Sequence, residues 1–337
     1  MTQIAVIILN YNGQEFLKKF LPSVIEYSDQ ASIVVADNCS TDDSISLLKN
    51  SFSSVEVIEI HENLGFSGGY NYALKQVTAD YFVLLNSDVE VTKNWLAPMK
   101  SMLESNPQVG AVQPKILSYS NRNTFDYAGA GGGYIDKLGY PFCRGRIFNE
   151  IENDNGQYDD EVSVFWSSGA CMMIRSKVYA ELQGLDEDFF AHMEEIDLCW
   201  RILRKGYNIK YTGMSVVYHV GGGTLSSTNP RKTYFNFRNG LSLIVKHLPP
   251  TEIFWKLLVR LFLDWIAAIK FLMDGSFLHS GAVFKAHFHW MIQLKRDFHK
   301  RSELSKTLPF IKEPMYNKSI VWDFFVRKKK EFQKLDF

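Results

Sequence analysis

Asp88 and His219 are the side chains of this sequence best suited to a divalent cation. Asp88 follows the apolar run Tyr81–Leu85 in the triplet Asn86-Ser87-Asp88, and His219 follows the strand-like run 216–218. Mg²⁺ and Mn²⁺ prefer oxygen ligands and commonly bind through one or two carboxylates together with substrate phosphates. A lone histidine after a strand more often packs in a core, but His219 completes a set with Asp88 and an acidic cluster. Asp88 therefore suits an Mn²⁺ or Mg²⁺ ion, and Asp88, His219 and a carboxylate of that cluster are residue types that metal-assisted group transfer requires.

The acidic cluster opens a helical segment and could supply a general base. Its members are Glu194, Glu195 and Asp197. Asp197 and Arg201 are four residues apart and can pair on one helix face, which is a structural use. Glu195 lies about 200° around the helix from Asp197, at ~100° per residue, so the two carboxylates have different tasks. A carboxylate crowded by acidic neighbours can accept a proton from a substrate. The cluster therefore offers Glu194, Glu195 and Asp197 as candidates for a general base.

Polar residues at the ends of other apolar runs could bind a nucleotide and its phosphates. Asp37 can accept the ring N–H of uracil or thymine, a donor that cytosine lacks. Gly65, with Gly68 and Gly69, would let the backbone approach a phosphate. An ordinary turn capped by Ser67 is the alternative, just as Ser40 or Thr41 would cap the helix after Asp37. The full set of candidates for binding the nucleotide and its phosphates is Asn10, Asp37, Asn38, Asn63, Gly65, Asn86 and Ser87.

Short apolar runs alternate with stretches of helix length, which is the βαβ pattern of a parallel sheet. The predicted strands are Ile4–Leu9, Ile33–Ala36, Val55–Ile60 and Tyr81–Leu85. Ligands of such sheets bind beyond the carboxyl ends of the strands, where the polar residues described above lie. The segment Tyr119–Glu161 has no clean period, and we predict a loop-rich insertion that borders the site. The sequence thus predicts an α/β fold.

Composition excludes several functional classes. The chain has 337 residues, with 37 basic and 37 acidic side chains, and this balance argues against a dedicated nucleic-acid binder. The first strand ends in Asn10-Tyr11-Asn12-Gly13, without the glycine pattern of a dinucleotide-binding turn or the phosphate loop of a nucleotidyltransferase. The four cysteines form no C-x-x-C pair, so we expect a reduced, cytoplasmic setting.

The order of these motifs closely resembles inverting family 2 glycosyltransferases of the GT-A fold, and the rhamnosyltransferase-like and galactofuranosyltransferase-like members look nearest. The motifs are D-N-x-S-x-D-x-S, N-x-G-F-x-G-G, N-S-D-V, S-G-A-C and E-E-I-D-L-C-W-R, followed by a late histidine. The resemblance covers residues from about Ile4 to about Asn239. It implies inverting transfer of a sugar from a UDP- or dTDP-type donor. The resemblance also implies that Asp37 binds the nucleobase, that Asp88 and His219 bind the divalent cation, and that Glu195 deprotonates the acceptor hydroxyl.

Two positions depart from the family pattern. Asn86 begins the D-x-D position, so Asp88 is its one charged ligand, and Glu195 stands where an aspartate base is usual. The resemblance also suggests acceptor-side residues, namely Trp166, Ser168 and Gly169. Arg231 and Arg238 could meet donor or acceptor phosphates, and a solvated helix face is the alternative for them.

The carboxyl-terminal region differs from the rest in charge. Residues 1–245 hold 20 basic and 28 acidic side chains, a net charge of −8, and residues 246–337 hold 17 and 9, a net charge of +8. We predict a glycosyltransferase domain over 1–245 and a basic, amphipathic helical region over 246–337. A helix over Glu252–Asp274 carries a polar stripe, and Gly281–Arg301 places Val283, Phe284, Trp290, Met291, Leu294 and Phe298 opposite Lys285, His289, Arg296 and Lys300.

These helices could lie in an anionic membrane surface, or they could pack on the core or in a dimer contact. Membrane binding predicts a peripheral protein on the cytoplasmic face of the cell membrane. The family resemblance then implies a glycan acceptor linked to a polyprenyl diphosphate, as in cell-surface polysaccharide synthesis, and a homo-oligomer is possible. The alternative function is a non-catalytic protein that binds a sugar nucleotide or a glycan on the same fold.

Overall fold

A nine-stranded sheet forms the centre of the computed structural model, which describes residues 3–221, 229–311 and 314–337. The strands are β1 (Ile4–Asn10), β2 (Ala31–Asn38), β3 (Glu56–Ile60), β4 (Tyr81–Asn86), β5 (Val89–Val91), β6 (Val109–Ser118), β7 (Gly133–Ile135), β8 (Pro141–Cys143), β9 (Arg146–Ile147), β10 (Glu150–Ile151), β11 (Glu161–Val164), β12 (Cys171–Arg175) and β13 (Asn208–His219). The sheet order is β11-β13-β6-β12-β4-β1-β2-β3, and β5 pairs with β13.

The four predicted strands form as β1 to β4, and all pairs among them are parallel. Asn10 lies opposite Asp37, and Leu9 lies opposite Asn86, so the polar strand ends share one edge of the sheet. β12 runs antiparallel between β4 and β6 and brings residues 167–170 to this same edge. The predicted α/β class with a mostly parallel sheet is confirmed.

Helices cover both faces of the sheet and continue beyond it. They are α1 (Gln14–Tyr27), α2 (Ser44–Ser51), α3 (Gly65–Leu74), α4 (Leu96–Ser105), α5 (Ser176–Glu181), α6 (Glu194–Arg204), α7 (Pro230–His247), α8 (Pro250–Met273), α9 (Phe277–Thr307) and α10 (Ile320–Phe325). Apolar side chains of alternate strand positions face two separate cores, one on each side of the sheet, as expected for strands buried on both faces.

The insertion over Tyr119–Glu161 is more ordered than its sequence suggests. It contains a second, four-stranded sheet in the order β10-β9-β8-β7. These strands have only two or three residues, which is too short to show an alternating pattern. Phe142 and Ile147 of the insertion pack against Tyr316 and Ile320 near the carboxyl terminus. The expected loop-rich insertion therefore also contains a small sheet that its sequence did not predict.

The helical hairpin formed by α8 and α9 turns its charged stripe inward. Arg260 and Asp264 of α8 are 3% and 0% exposed, and the Arg260 Nε donates to Asp264 Oδ1 at 3.0 Å. Asp264 also accepts hydrogen bonds from the Tyr140 hydroxyl at 3.1 Å and from His287 Nε2 at 3.2 Å. The predicted stripe of α8 therefore joins the hairpin to the insertion.

The outer face of the α8–α9 hairpin is apolar. Phe262 of α8 is 59% exposed, and the other exposed side chains of this face include Phe254, Leu258, Trp265, Ile269, Met273, Phe284, Phe288, Met291 and Ile292. On α9, Val283 and Trp290 at one edge of the predicted apolar side are buried, while Phe284, Met291 and Phe298 toward its other edge are exposed. Within the described ranges, none of the helices is both long and apolar enough to cross a bilayer.

The carboxyl-terminal helices are tightly joined to the region before them. The predicted boundary after Val245 falls in the last turn of α7. Arg301 of α9 donates to the carbonyls of Val245 and Leu248, both at 2.7 Å. A division into a catalytic domain over 1–245 and a helical region over 246–337 stays a prediction.

Candidate active site

Asn10 and Asp37 meet at the ends of β1 and β2. The Asn10 amide donates to Asp37 Oδ2 at 2.8 Å, and the Ser40 backbone N–H donates to Asp37 Oδ1 at 2.8 Å. Each carboxylate oxygen has a second lone pair for a ligand. Ser40 does not cap α2, since its hydroxyl accepts the Asn12 N–H at 2.9 Å and α2 begins four residues later at Ser44.

Asn38 and Asn63 hold the glycine-rich turn in place. The Asn38 amide donates to Asn63 Oδ1 at 3.1 Å and to the Gly65 carbonyl at 3.0 Å, while its oxygen accepts the Leu64 N–H at 3.0 Å. Asn38 and Asn63, which were predicted to bind the donor, thus have structural partners, and these hydrogen bonds fix the glycine-rich turn.

Gly65 allows the loop before α6 to approach the start of α3. Its φ of +70° suits glycine, and an added Cβ would lie 2.6 Å from the Phe190 ring. The Phe66 N–H donates to the Phe190 carbonyl at 2.7 Å. The Phe66 amide at the start of α3 therefore binds protein, and the approach of a phosphate to this turn stays a prediction. Ser67 is not the helix cap, because α3 already begins at Gly65.

Asp88, His219 and Asp126 form a buried charged group at the ends of β4 and β13. His219 Nε2 lies 3.2 Å from Asp88 Oδ1, and His219 Nδ1 lies 3.1 Å from Asp126 Oδ2. Burial opposes the charge on the imidazole, but the carboxylates of Asp88 and Asp126 outweigh it and raise the pKa of His219 to about 10. Sequence reasoning missed Asp126, which lies in the insertion and follows no recognisable strand.

This group is not arranged to hold a metal ion, and neither is any other cluster of three or more Cys, His, Asp or Glu side chains in the described ranges. Asp88 and Asp126 face the two nitrogens of His219, which is the geometry of an ion pair. Asn86 and Ser87 precede Asp88 and are half-buried, and the Asn86 N–H donates to the Ala170 carbonyl at 3.0 Å.

Glu194 and Glu195 begin α6 with carboxylate oxygens that have no partner. The Oε2 atoms of both side chains are buried and accept no hydrogen bond from the residues that the structure describes. Burial raises the pKa of Glu195 to about 7, and burial together with the Glu195 charge raises the pKa of Glu194 well above its usual range. Glu195 is half-buried and Glu194 is buried. Buried polar atoms without partners often await a ligand, and a pKa near neutrality suits a general base.

The loop before the two glutamates is strained and is held by α7. Phe190, His192 and Met193 have φ values of 64°, 67° and 74°, which is costly for side chains with a Cβ and is a frequent feature of functional sites. The Asn239 amide donates to the carbonyls of Ala191 and His192 at 3.0 and 2.6 Å. Sequence reasoning did not single out Asn239, although it closes the family resemblance.

Arg238 supports the same loop. Its Nη2 donates to the carbonyls of Asp188 and Phe189, both at 2.9 Å, and its side chain is buried. The phosphate role suggested for Arg238 is therefore not favoured, because its donors already have acceptors. Arg231 is exposed, with its guanidinium 5.4 Å from the centre of the Phe190 ring, and stays a candidate.

Asp197 is enclosed by other protein groups. It is fully buried and accepts hydrogen bonds from Arg201 Nε at 2.8 Å, from His247 Nε2 at 2.8 Å and from Lys246. Despite burial, the Lys246 and Arg201 charges hold the pKa of Asp197 well below its usual range. The predicted pair with Arg201 forms, whereas the geometry gives Asp197 no room to act on a substrate.

The suggested acceptor-side residues are buried near the start of β12. The Trp166 indole N–H donates to the Tyr134 carbonyl at 2.8 Å, and Gln113 Oε1 accepts the Ser168 N–H at 2.7 Å. An added Cβ on Gly169 would lie 2.9 Å from the Phe66 ring. Trp166 and Ser168 thus shape the wall of the site from beneath, which makes direct contact with an acceptor less favourable than the sequence suggested.

Known proteins resemble this chain in sequence. A hexosyltransferase of low-salt glycan biosynthesis, Agl10 of Haloferax volcanii, is 26% identical over 71% of this chain and 74% of its own. N-acetylglucosaminyl-diphospho-decaprenol L-rhamnosyltransferase of Mycobacterium tuberculosis is 23% identical over 81% of this chain and 90% of its own.

Solved structures share the fold. GalNAc-T7, crystallised with UDP, GalNAc and Mn²⁺, matches with a TM-score of 0.58 and 16% sequence identity. The match covers 74% of this chain and 49% of that protein. The mannosyltransferase PcManGT of Pyrobaculum calidifontis, crystallised with GDP-Man and Mn²⁺, has a TM-score of 0.52 at 15% identity over 91% of this chain and 86% of its own. The glycosyl transferase family 2 pattern matches residues 5–182, more than half of the sequence. The chain therefore belongs to glycosyl transferase family 2 and has the GT-A fold.

Proposed function

We propose that this glycosyltransferase moves a sugar from a UDP- or dTDP-type donor to a hydroxyl of a lipid-linked glycan, with inversion at the anomeric carbon. The observation that carries the proposal is the half-buried carboxylate of Glu195, which has an unpartnered oxygen and a pKa raised by burial to about 7. The acceptor oxygen bonds to the anomeric carbon, the bond from that carbon to the diphosphate oxygen breaks, and its electron pair leaves with the diphosphate. The hydroxyl proton passes to Glu195.

Glu195 is favoured over its neighbours by its surroundings. Glu194 has a similar unpartnered oxygen but is less exposed. The Asp197 carboxylate already pairs with Arg201, Lys246 and His247. Glu195 thus combines partial access with a pKa that lets it hold a proton briefly near neutral pH.

The nucleotide is proposed to bind at the ends of β1 and β2. Asp37 is held by Asn10 and Ser40 through one lone pair on each oxygen, so it can still accept the ring N–H of uracil or thymine. Asn38 and Asn63 act indirectly, because their amides fix the turn that begins α3.

Asp88 and His219 would hold a divalent cation together with the donor diphosphate once their ion pair separates. The two side chains are adjacent and buried, and Mn²⁺ or Mg²⁺ in such sites takes its remaining ligands from phosphates and water. When bound, the cation neutralises charge that develops on the diphosphate. His219 must release a proton before it can be a ligand, while Asp126 orients its other nitrogen.

The outer face of the α8–α9 hairpin supports a lipid-linked acceptor. Aromatic and aliphatic side chains are exposed along both helices, and a contiguous apolar surface of this kind is typical of a protein that binds a membrane. One relative is named for a decaprenol-diphosphate acceptor. We therefore propose peripheral attachment to the cytoplasmic leaflet, with a second copy of this chain as the alternative occupant of the face.

A donor panel tests the proposed reaction. Full-length protein would be incubated with UDP-, dTDP- and GDP-sugars, with and without Mn²⁺, and thermal stabilisation and release of nucleotide diphosphate would be measured. We expect stabilisation and slow hydrolysis with a uracil or thymine donor and Mn²⁺. Stabilisation without any hydrolysis, in the presence of acceptor as well, would favour a non-catalytic sugar-nucleotide-binding protein.

A further inference from the structure

A cavity of about 770 Å³ opens between α7 and the first half of α9. Its walls include Arg231 and Phe235 of α7, Phe277 and Lys285 of α9, and Phe190 of the loop before α6. We call it the α7–α9 cavity. Its size is within the range of about 300–1,000 Å³ that is usual for small-molecule sites.

The α7–α9 cavity is cationic on one side and apolar on the other. Arg231, Arg238 and Lys285 line it, and none of the described residues that line it is acidic. Arg231 and Lys285 are exposed, and the part of the chain that the structure describes gives neither an ion-pair partner. Phe277 and Leu278 are largely exposed at its edge. This combination suits an amphiphile with a multivalent anionic head and an apolar chain.

Two neighbours of the cavity indicate which amphiphile it takes. Phe277 and Leu278 continue the exposed apolar face of the α8–α9 hairpin, so the apolar side is open toward a bound membrane. Phe190 stacks on Phe235 with ring centres 5.7 Å apart, and its carbonyl accepts the N–H at the start of α3. The opposite wall therefore belongs to the loop that carries Glu194 and Glu195.

We propose that the α7–α9 cavity binds the diphosphate and the adjoining isoprenoid units of the lipid-linked acceptor, with Arg231 and Lys285 contacting the phosphates. The inference rests on the proposed function, because it assigns the acceptor lipid of that reaction. A head group bound here places the attached glycan between the membrane and the catalytic loop. A bulk phospholipid offers a similar phosphate but has no reason to be directed to that loop.

Farnesyl diphosphate is a soluble probe for this cavity. Its affinity for the full-length protein would be measured by calorimetry in EDTA, which keeps metal-dependent diphosphate binding out of the donor site. We expect farnesyl diphosphate to bind more tightly than farnesol or inorganic diphosphate. Arg231→Gln and Lys285→Gln should each weaken binding by about tenfold. Lys295→Gln, on the same helix but outside the cavity, is the matched control and should bind as the unaltered protein does.

A second variant fills the cavity without disturbing the fold. Gly281 lines the α7–α9 cavity, and apart from its own stretch of helix no atom of the described residues lies within 4 Å of the position that a Cβ would occupy, so Gly281→Trp should fold normally and abolish farnesyl diphosphate binding. Unchanged affinity in Gly281→Trp and in both cation variants would overturn the proposal.

Vesicles separate the two phosphate sources. Gly281→Trp should not lower affinity for phosphatidylcholine vesicles that contain phosphatidylglycerol. A loss of vesicle binding that parallels the loss of farnesyl diphosphate binding would assign the cavity to bulk phospholipid and overturn the acceptor proposal. Donor hydrolysis by the unaltered protein tests the proposed function separately. Hydrolysis without farnesyl diphosphate binding refutes the cavity alone, and binding without hydrolysis refutes the reaction alone.

Discussion

Charged side chains are buried both at the start of α6 and along the inner stripe of α8, but the two regions differ in the partners that these side chains have. Glu194 and Glu195 have oxygens without partners and raised pKa values. Asp264 is more deeply buried and is surrounded by Arg260, Tyr140 and His287. Burial alone therefore does not mark a functional carboxylate. The absence of a partner marks a functional carboxylate, because a buried, unpaired charge is unstable unless a ligand or a proton neutralises it.

The outer surfaces of the two regions differ as well. The edge of the central sheet presents polar groups to a cleft, whereas the α8–α9 hairpin presents Phe, Trp, Ile and Met to solvent. The first arrangement fits a polar ligand, and the second fits an apolar environment. The following predictions test this contrast.

The largest effect is expected for Glu195→Gln. The amide keeps the size of the side chain but cannot accept a proton, so kcat should fall by roughly 10²–10⁴-fold with little change in donor affinity or in the urea midpoint. Steady-state kinetics and urea denaturation would be compared with Glu56→Gln, an exposed glutamate of β3. An equal loss of kcat in Glu194→Gln with normal folding would show that the base has been assigned to the wrong residue.

Asp264→Asn should affect stability instead. It removes a buried charge that Arg260 requires, and breaking such a pair typically lowers the free energy of unfolding by about 3–5 kcal/mol. Asp274→Asn on the same helix is the control, since its pair with Lys270 is exposed and should contribute less than about 1 kcal/mol. Urea denaturation measures both. A small effect of Asp264→Asn would mean that the inner stripe does not join the hairpin to the insertion.

Asp88→Ala should reduce transfer by about 10²–10³-fold, because the developing diphosphate charge would lose its cation. Activity with and without EDTA is the measurement, and full activity of the unaltered protein in EDTA would contradict the prediction. His219→Ala should weaken the metal dependence less, since water can occupy the vacated ligand position.

Polar substitution of the hairpin should release the protein from lipid. In Phe262→Ser/Ile269→Ser, vesicle affinity should fall by about tenfold or more, because each apolar side chain contributes roughly 1–3 kcal/mol when fully buried. Met214→Ser, at an exposed site on β13, should bind vesicles normally. Co-sedimentation measures binding. If the unaltered protein ignores vesicles and the double variant turns a dimer into a monomer, a second copy covers this face.

Salt dependence sharpens the same test. Lys246, Lys300 and Lys330 of the carboxyl-terminal region form ion pairs with acidic residues that precede this region, so part of the +8 charge is already balanced within the protein. High salt should therefore weaken vesicle binding only modestly. Truncation after Lys246 is a poor test, because it would also remove His247, a partner of Asp197.

The last prediction is a pH dependence. Glu195 must be deprotonated to act as a base, so kcat should rise about tenfold per pH unit up to a pKa near 7. Between its ordinary value of 4.5 and about 7, folded Glu195 holds a proton that the unfolded chain releases. Stability should therefore fall as pH rises through this window, and the fall should be smaller in Glu195→Gln. A flat kcat profile from pH 5 to 8 would contradict the assignment.

Local patterns were sufficient to predict the sheet and its polar edge. β1 to β4 are apolar runs long enough to be recognised, and the ends of parallel strands necessarily meet. Asp126, Asn239 and the short strands of the insertion could not be predicted, because nothing within a few residues of them sets their role. Arg238 and Trp166 were given ligand roles because sequence cannot show that their donors already have acceptors.

The sequence by itself determined the α/β class, the family resemblance, the candidate base and the amphipathic pattern of α8. Each depends on residue types at fixed spacings along one strand or one helix. Only the tertiary structure decided which side of α8 faces inward, which of the three acids of α6 is neutralised, and that Phe190 caps α3. These outcomes depend on partners far apart in the chain, such as Asp264 with Tyr140 or Asp197 with Lys246. A buried charge settles where distant groups can compensate it, and the spacing of residues along the chain does not record those distances.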